Sequence, residues 1–477
     1  MAKTKSTAKQ SSPRFSSQFK SSRQKKSKNR VPLKPQDWKL GLEVVHPMAA
    51  GIDVGNSEHW VAVPPHLDAE PVRTFGCFTA DLVALADWLE KLGIQTVAMQ
   101  STGVYWIPLA DILAERGIRV FVVNARDTKN LPGRKSDLQE CRWLLKLHVY
   151  GLLHNSFRPA EEILQMRAYW RQRQQHVADA ARCIQHMQKA LTQMNVQLAN
   201  VISDISGATG QAILGAILEG ERDVRVLAKL RDPGVKASEE EVMRSLEGNW
   251  RKELLFILRQ ECETYQTFQK KIGECDQQLQ AHYQTMESKA DPKNLPPCPR
   301  EKRPRGNVPK CFDLRSELFR ATGVDLTAID GINVLTAQTV VSELGNQMDR
   351  FETEAQFVSY VDLAPNNKIS GGKVVGREKK KKRHRVGLAL QQAATSLLRS
   401  DSYLGSQYRR LRTKLGTPKA KKAMGNRLGR IIYRMLKFKE AYVDKGKEFY
   451  EQKYRQIQLR MLQRKAAELG LQITEAT

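Results

Sequence analysis

Acidic residues stand at places in the sequence from which they could bind a divalent cation. Asp53 lies in the apolar segment Gly51-Ile52-Asp53-Val54-Gly55. Because a buried carboxylate without a partner is costly, Asp53 must be paired or bind a cation. Asp137 and Glu140 are three residues apart and face the same side of a helix. These hard oxygen ligands suit Mg²⁺, and paired Mg²⁺ ions serve in-line attack on a phosphodiester. By itself, the Asp53 segment fits a turn or capping aspartate equally well.

The segment Ser370-Gly371-Gly372 has the composition of a turn that could hold a phosphate. Its glycines leave backbone N–H groups open to an anion. The cations that follow are Lys373, Arg377, Lys379, Lys380, Lys381, Lys382 and Arg383. Such a loop could also do no more than grip a DNA backbone. A serine hydroxyl needs a base or a metal to become a nucleophile, the motif contains no histidine, and His384 is assigned no role.

Alternating strands and helices are expected to position the acidic residues. Between residues 44 and 156 the apolar pattern changes between short runs and helical spacing. The expected strands are 49–55, 59–63, 96–99 and 118–123, and the expected helices are 82–92, 107–116 and 135–153. This alternation predicts an α/β layer with a mixed sheet.

The middle of the chain, residues 160–287, has helical spacing over long stretches. Apolar residues from Ile163 to Leu198 and from Leu258 to Leu279 recur every three or four positions, interrupted at Arg173. The spacing predicts a long antiparallel coiled coil, although ordinary core packing leaves the same pattern. The segment Ser206–Gly210 between the helices is interpreted as a turn.

The remaining segments differ in composition. Residues 1–37 are predicted to form a disordered basic arm, and residues 288–311 contain six prolines, which is typical of a linker. A C-terminal domain is predicted for residues 314–450, mostly α-helical, with a basic helical tail over residues 451–477.

Positive charge indicates a polyanionic partner. The 477 residues carry a formal net charge of +27, and 41% of them are hydrophobic, as in a folded protein. Residues 1–34 contain 11 Lys and Arg and no acid, residues 409–439 contain 12 and no acid, and residues 373–385 form a third block. Each block alone fits a solvated surface. Three separate blocks favour nucleic acid, because each neutralised phosphate releases a counterion.

Other function classes are excluded by composition. No run approaches 18 apolar residues and the first residues are polar and basic, so no membrane span or secretory signal is expected. The seven cysteines are scattered and form no C-x-x-C pair, which argues for reduced thiols rather than disulfides or zinc. We expect a cytoplasmic, nucleoid-associated bacterial protein.

Several motifs in order resemble one family. The N-terminal motifs are Gly51-Ile52-Asp53-Val54-Gly55, Met99-Gln100-Ser101-Thr102-Gly103-Val104-Tyr105-Trp106 and Pro132-Gly133-Arg134-Lys135-Ser136-Asp137. The C-terminal motifs are Ile329-Asp330-Gly331-Ile332-Asn333, similar to a helix-hairpin-helix, Phe357-Val358-Ser359-Tyr360-Val361-Asp362-Leu363-Ala364-Pro365, and Ile369-Ser370-Gly371-Gly372-Lys373. Over residues 44–450 the chain resembles the DEDD-type insertion-sequence transposases.

The resemblance implies an N-terminal RuvC-like (RNase H-like) domain and a recombinase that mobilises its own element. It implies guidance by a structured noncoding RNA that pairs with donor and target DNA, and two Mg²⁺ ions. The four acidic positions correspond to Asp53, Gln100, Asp137 and Glu140, and the nucleophilic serine to Ser370. Gln100 replaces an expected Glu, so one metal would be held with less charge compensation, and Glu140 replaces an expected Asp. Metal from the first domain would meet the serine of the second.

Two alternatives remain open at this point. One is a metal-dependent nuclease of the Holliday-junction type, which would hydrolyse DNA without a covalent serine intermediate. The other is a non-catalytic nucleic-acid-binding scaffold disarmed by Gln100. The paired heptad helices also predict a homodimer that assembles into a tetramer on DNA.

Overall fold

The computed structural model describes residues 43–101, 103–124, 136–297, 306–346, 348–365, 367–377 and 383–471. The basic arm expected over residues 1–37, the lysines 379–382 and the last six residues lie outside this part of the chain. The chain is divided into two compact units, residues 1–158 and residues 159–477.

The first unit is built on a mixed sheet. Its strands are β1 (Ala49–Val54), β2 (Glu58–Ala62), β3 (Val72–Gly76), β4 (Thr96–Gln100) and β5 (Arg119–Val123). The order across the sheet is β3-β2-β1-β4-β5, with β2 antiparallel to β1 and β3, and β4 parallel to β1 and β5. The predicted mixed α/β sheet is therefore confirmed, and it fits an RNase H-like domain. β3 was absent from the sequence prediction, because its residues are only half-buried and alternate weakly.

Helices cover both faces of this sheet. They are α1 (Thr79–Lys91), α2 (Trp106–Glu115) and α3 (Asp137–Val149). α1 and α2 pack with Ala50, Ile52 and Val54 of β1 in the larger core, while α3 packs with Ala49 on the other face. Alternate residues of β1 thus belong to different layers, as expected for a strand.

Gly51 sets how closely α3 approaches the sheet. A methyl group at this position would lie 2.5 Å from the Cys141 carbonyl oxygen and 2.8 Å from the Leu145 Cα. Both atoms belong to the backbone of α3, so they cannot move aside as a flexible side chain would. At the other end of α3, the His148 Nε2 lies 3.0 Å from the Thr96 Oγ1 of β4. The helix is therefore fixed against two neighbouring strands.

In the second unit, two long helices run along each other in opposite directions. They are α4 (Glu161–Gln193) and α8 (Lys252–Thr285). Contacts join Arg173 to Asp276 near one end and Met187 to Cys262 near the other. The interruption at Arg173 has a physical cause: its side chain is 2% exposed and pairs with Asp276, with an Nη2 to Oδ2 distance of 3.2 Å.

Between these helices lies a helical module rather than a simple turn. It contains α5 (Ala208–Glu219), α6 (Val224–Lys229) and α7 (Glu239–Ser245). The interpretation of Ser206–Gly210 as a turn was wrong for Ala208, Thr209 and Gly210, which form the first turn of α5. Ile213, Leu214 and Ile217 of α5 belong to a core shared with Leu191 and Leu258 of the long helices.

The C-terminal region is mostly helical, as predicted. Its helices are α9 (Leu314–Thr322), α10 (Val334–Leu344), α11 (Glu354–Tyr360), α12 (Arg385–Ser396), α13 (Tyr403–Leu415), α14 (Thr417–Phe438) and α15 (Gly446–Glu468). Two strands, β6 (Asn367–Ser370) and β7 (Lys373–Arg377), form a hairpin. None of the described helices is long and apolar enough to cross a membrane.

The described part of the proline-rich segment packs on α9. The backbone N–H of Lys289 donates to the Arg320 carbonyl at 2.7 Å, and the Arg315 guanidinium donates to the Pro296 carbonyl at 2.8 Å. Residues 298–305 of this segment lie outside the described residues.

Replacing Gly51 by alanine is expected to lower the free energy of unfolding by about 2 kcal/mol, because the added methyl group overlaps the α3 backbone. Gly273→Ala in α8 is the control, since a methyl group there meets nothing within 4 Å. Thermal unfolding by calorimetry should show a lower midpoint for Gly51→Ala and an unchanged or higher one for Gly273→Ala. Equal midpoints would contradict the close contact.

Arg173→Leu is expected to destabilise the second unit by about 3 to 5 kcal/mol, because it leaves Asp276 buried without a countercharge. The double variant Arg173→Leu/Asp276→Leu should recover most of this loss. As a control, Arg182→Leu removes an ion pair with Asp179 in which the arginine is 64% exposed, and it should change stability by less than about 1 kcal/mol. Denaturant unfolding measures all three, and a double variant no more stable than Arg173→Leu would refute the pairing argument.

Candidate active site

The sheet places Asp53 and Gln100 side by side on the face that α3 covers. β1 and β4 are parallel neighbours, with Ile52 opposite Met99, so Asp53 and Gln100 are the next residues of each strand. Gly51 faces α3, and side chains alternate along a strand, so Asp53 lies on the α3 side. Gln100 follows Ala98 on the same side and is 4% exposed.

Helix α3 brings a carboxylate to Gln100. The Gln100 Nε2 donates to the Glu140 Oε2 at 3.4 Å, a long hydrogen bond between the strand end and the first turn of the helix. Asp53 of β1 lies beside Cys141 of α3. Burial raises the pKa of the Cys141 thiol to about 12, and the charge of Asp53 adds to the rise. Cys141 is therefore an inert thiol.

Asp137 occupies a different environment. It is the first residue of α3 and is exposed, whereas Asp53 and Glu140 are half-buried. The structure therefore joins Gln100 to Glu140, places Asp53 on the same face, and leaves Asp137 at the open end of the helix. In the described part of the chain, no group of three or more His, Cys, Asp or Glu side chains is arranged to hold a metal ion.

The donor chemistry fits Mg²⁺, although the present arrangement does not surround an ion. Carboxylate and amide oxygens are the ligands that Mg²⁺ takes. The Glu140 carboxylate is engaged by the Gln100 amide nitrogen, and that nitrogen is not a metal ligand. An ion held by both residues would bind the Gln100 amide oxygen and the Glu140 carboxylate.

Ser370 lies at the tip of the β6–β7 hairpin. It pairs with Lys373 across the two-residue turn Gly371-Gly372, whose φ angles are +53° and +73°. Turns with positive φ at both central positions match the twist of a hairpin, and glycine adopts them without strain. The turn therefore presents Ser370 to solvent, and every residue from Asn367 to Val375 is exposed.

The hairpin adds Lys368 to the candidate site, a residue that the sequence analysis missed. Lys373 lies opposite Ser370. Lys368 lies two positions before Ser370 and shares its face by alternation along β6, since the register shift between Lys368 and Ile369 places the extra residue, Val375, on β7. The serine hydroxyl is thus placed on a face that also carries two ammonium groups. Period-two alternation back from Ser370 would have found Lys368 in the sequence, had this short segment been recognised as a strand.

The predicted basic run is described only in part. Lys373 and Arg377 lie on β7, and Arg383 is exposed just before α12, while residues 379–382 lie outside the described residues. His384 has a structural role at this point. Its Nδ1 accepts from the Val386 backbone N–H at 3.3 Å, and the backbone N–H of His384 donates to the Asp362 carboxylate at 2.9 Å. Burial lowers the pKa of His384.

A buried carboxylate fixes the neighbouring helices of the second unit. Glu343 of α10 is 4% exposed and accepts two hydrogen bonds from Arg171 of α4, at 2.8 and 2.7 Å. Burial raises the pKa of Glu343, but the hydrogen bonds and charges of Arg171 and Arg167 outweigh it, and the pKa lies below its usual value. Arg385 at the start of α12 lies 3.9 Å from the same carboxylate. Arg385, the last residue of the basic block 373–385, is therefore held near the Glu343 carboxylate.

Comparison with known proteins finds two family models that match separate parts of the chain. A family model described as a transposase, of the DEDD type found in IS110 elements, matches residues 50–196. A second model, described as the transposase IS116/IS110/IS902 family, matches residues 325–409. The search of curated proteins finds no match. The first range contains Asp53, Gln100, Asp137 and Glu140, and the second contains Ser370 and the basic run.

Gln100→Glu is expected to make thermal stability depend more strongly on Mg²⁺. The new carboxylate would face Glu140, so like-charge repulsion should lower the midpoint in chelator, and Mg²⁺ binding should raise it again. Gln95→Glu is the matched control, because Gln95 precedes the same strand and is exposed. Thermal unfolding with and without millimolar Mg²⁺ measures the effect. If Mg²⁺ shifts Gln100→Glu no more than the wild type and the control, Gln100 does not border a cation site.

Proposed function

The chain carries the N-terminal and C-terminal domains of an IS110-family transposase and is a DNA transposase, and from this premise we propose that it cuts and rejoins DNA through Ser370 together with its acidic site. The observation that carries the proposal is the exposed Ser370 on a hairpin face shared with Lys368 and Lys373, within the second matched domain. A serine offered to solvent between cations is suited to meet a DNA phosphate.

In the proposed reaction, the Ser370 oxygen bonds to the phosphorus and the bond from phosphorus to one DNA oxygen breaks. The hydroxyl proton leaves the serine, and the departing DNA oxygen gains a proton. A second DNA hydroxyl then attacks the serine phosphoester and restores the hydroxyl of Ser370. Since the phosphoester conserves the bond energy, rejoining requires no external energy source. Lys368 and Lys373 hold the phosphate and offset its negative charge.

The residues that would hold Mg²⁺ are Asp53, Gln100, Asp137 and Glu140. Two such ions, when bound, would lower the pKa of the attacking hydroxyl and stabilise charge on the phosphate oxygens. The half-buried positions of Asp53 and Glu140 limit access of water to them. The Gln100 amide keeps Glu140 directed toward the strand end, and Asp137 is exposed at the start of α3.

Nucleic-acid partners follow from the charge distribution. Donor and target DNA would bind along the basic segments, with Lys373, Arg377 and Arg383 closest to the serine in the sequence. We include a structured noncoding guide RNA as the source of sequence specificity, because base pairing reads sequence where a protein supplies mainly phosphate contacts. The Ile329–Asn333 segment, placed just before α10, would contact the DNA backbone as a helix-hairpin-helix turn does.

We also propose that the antiparallel pair of α4 and α8 forms a coiled coil used in assembly. Recombination joins four DNA ends, which favours a homodimer that becomes a tetramer on DNA. The buried Arg173–Asp276 pair would set the register of this coiled coil, since a polar pair in an apolar seam tolerates no shift.

Ser370→Ala and Asp53→Asn are each expected to abolish recombination and the covalent protein–DNA adduct, while leaving DNA affinity within about twofold of the wild type, since neither removes a cation. Ser359→Ala is the control, an exposed serine in the same domain. The assay traps the adduct on a suicide DNA substrate and maps the modified peptide after digestion.

Each result discriminates between mechanisms. An adduct on Ser370 that disappears in both variants supports the serine mechanism. DNA cleavage without any adduct that still requires Asp53 identifies a hydrolytic nuclease. Full recombination by Ser370→Ala refutes the proposal.

A further inference from the structure

The β6–β7 hairpin has a second face, opposite the one that carries Ser370. Ile369 and Val374 form a cross-strand pair, and each lies next to a member of the Ser370–Lys373 pair. Because neighbouring residues point to opposite faces, Ile369 and Val374 share the face away from the serine. Their exposed fractions are 66% and 55%, although both are branched aliphatic residues, and the neighbouring Val375, which has no partner on β6, is 66% exposed.

This exposure is unfavourable for an isolated hairpin. A two-stranded hairpin is marginally stable in water, and its usual source of stability is an apolar face packed against another surface. Here the apolar face meets solvent, and a methyl group added at Gly371, Gly372 or Gly376 would meet nothing within 4 Å. The described part of the chain therefore leaves this face of the hairpin largely uncovered, as in a surface that packs against a partner.

The chemistry of the hairpin selects the partner. Residues 363–377 contain Lys368, Lys373 and Arg377 and no acidic residue. The cations beside Ser370 thus suit a polyanion, and the exposed aliphatic pair of Ile369 and Val374 suits an apolar surface. Duplex DNA offers both, since phosphates line its grooves and the bases form an apolar stack. Proteins that bend DNA from its minor groove insert aliphatic side chains between two base pairs and part the base step.

We propose that Ile369 and Val374 form a wedge that enters the DNA and unstacks the base step next to the phosphate that Ser370 attacks. The inference rests on the proposed role of Ser370, because that role places the hairpin at the cleavage step. Unstacking would free the bases at the cut for exchange of partners.

The test uses a fluorescent base, 2-aminopurine, at the cleavage step of a duplex carrying the junction of the element's two ends. The full-length protein is added with RNA transcribed from the noncoding DNA that flanks its reading frame. The wedge variant is Ile369→Thr/Val374→Thr, which keeps β-branching and so preserves the strand preference. Val443→Thr is the control, an exposed valine (74%) outside the hairpin.

The wild type and Val443→Thr should raise 2-aminopurine fluorescence on binding, and the wedge variant should not. Adduct formation by the wedge variant should be about tenfold slower, because the variant lacks the aliphatic pair that parts the base step. A mismatch placed at the same step, which is already unstacked, should restore its rate to within about twofold of the wild type.

The fluorescence is also measured with Ser370→Ala, so it reports the wedge independently of the chemistry. If the wild type forms no serine adduct but the fluorescence pattern holds, the proposed function fails and the wedge stands. If the serine adduct forms but fluorescence is unchanged on binding, or the mismatch restores nothing, the wedge is refuted. Loss of oligomers by the wedge variant in light scattering, with normal fluorescence, would assign the face to a second copy of the chain and overturn the inference.

Discussion

The close contact of α3 with β1 at Gly51 is the constraint on which the acidic site depends. Without a side chain at this position, the backbone of Cys141 and Leu145 rests on the strand itself. The first turn of the helix is thereby held over the ends of β1 and β4, where Asp53 and Gln100 emerge. Any residue larger than glycine would lift α3 and separate Glu140 from Gln100.

In the second unit, buried ion pairs fix the positions of helices relative to one another. Arg173 and Asp276 meet across the two long helices, and Glu343 receives Arg171 from α4 and lies near Arg385 of α12. Each pair is expensive to desolvate, so it is tolerated only where both partners are held in place. These contacts therefore set which residues of the helices face one another, whereas apolar contacts alone would tolerate a shift.

The hairpin bearing Ser370 contrasts with both of these regions. Every hairpin residue from Asn367 to Val375 is exposed, and the turn consists of two glycines with positive φ. Within the described residues, the turn holds the position of the serine locally and both faces of the hairpin are open to a ligand. The charges on one face and the aliphatic pair on the other match the two chemical surfaces of a DNA duplex.

The sequence by itself determined the layered α/β order of the first unit, the helical spacing of α4 and α8, the concentration of cations and the resemblance to a transposase family, which the family models confirm. These features depend on periodicity and composition, which are properties of neighbouring residues in the sequence. Tertiary structure decided the rest. That Arg173 is a buried partner of Asp276, that Gln100 contacts Glu140, and that residues 208–245 form a helical module depend on residues distant in the chain. Strand β3 and the face shared by Lys368 and Ser370 follow from pairing between strands, which a short sequence segment does not reveal.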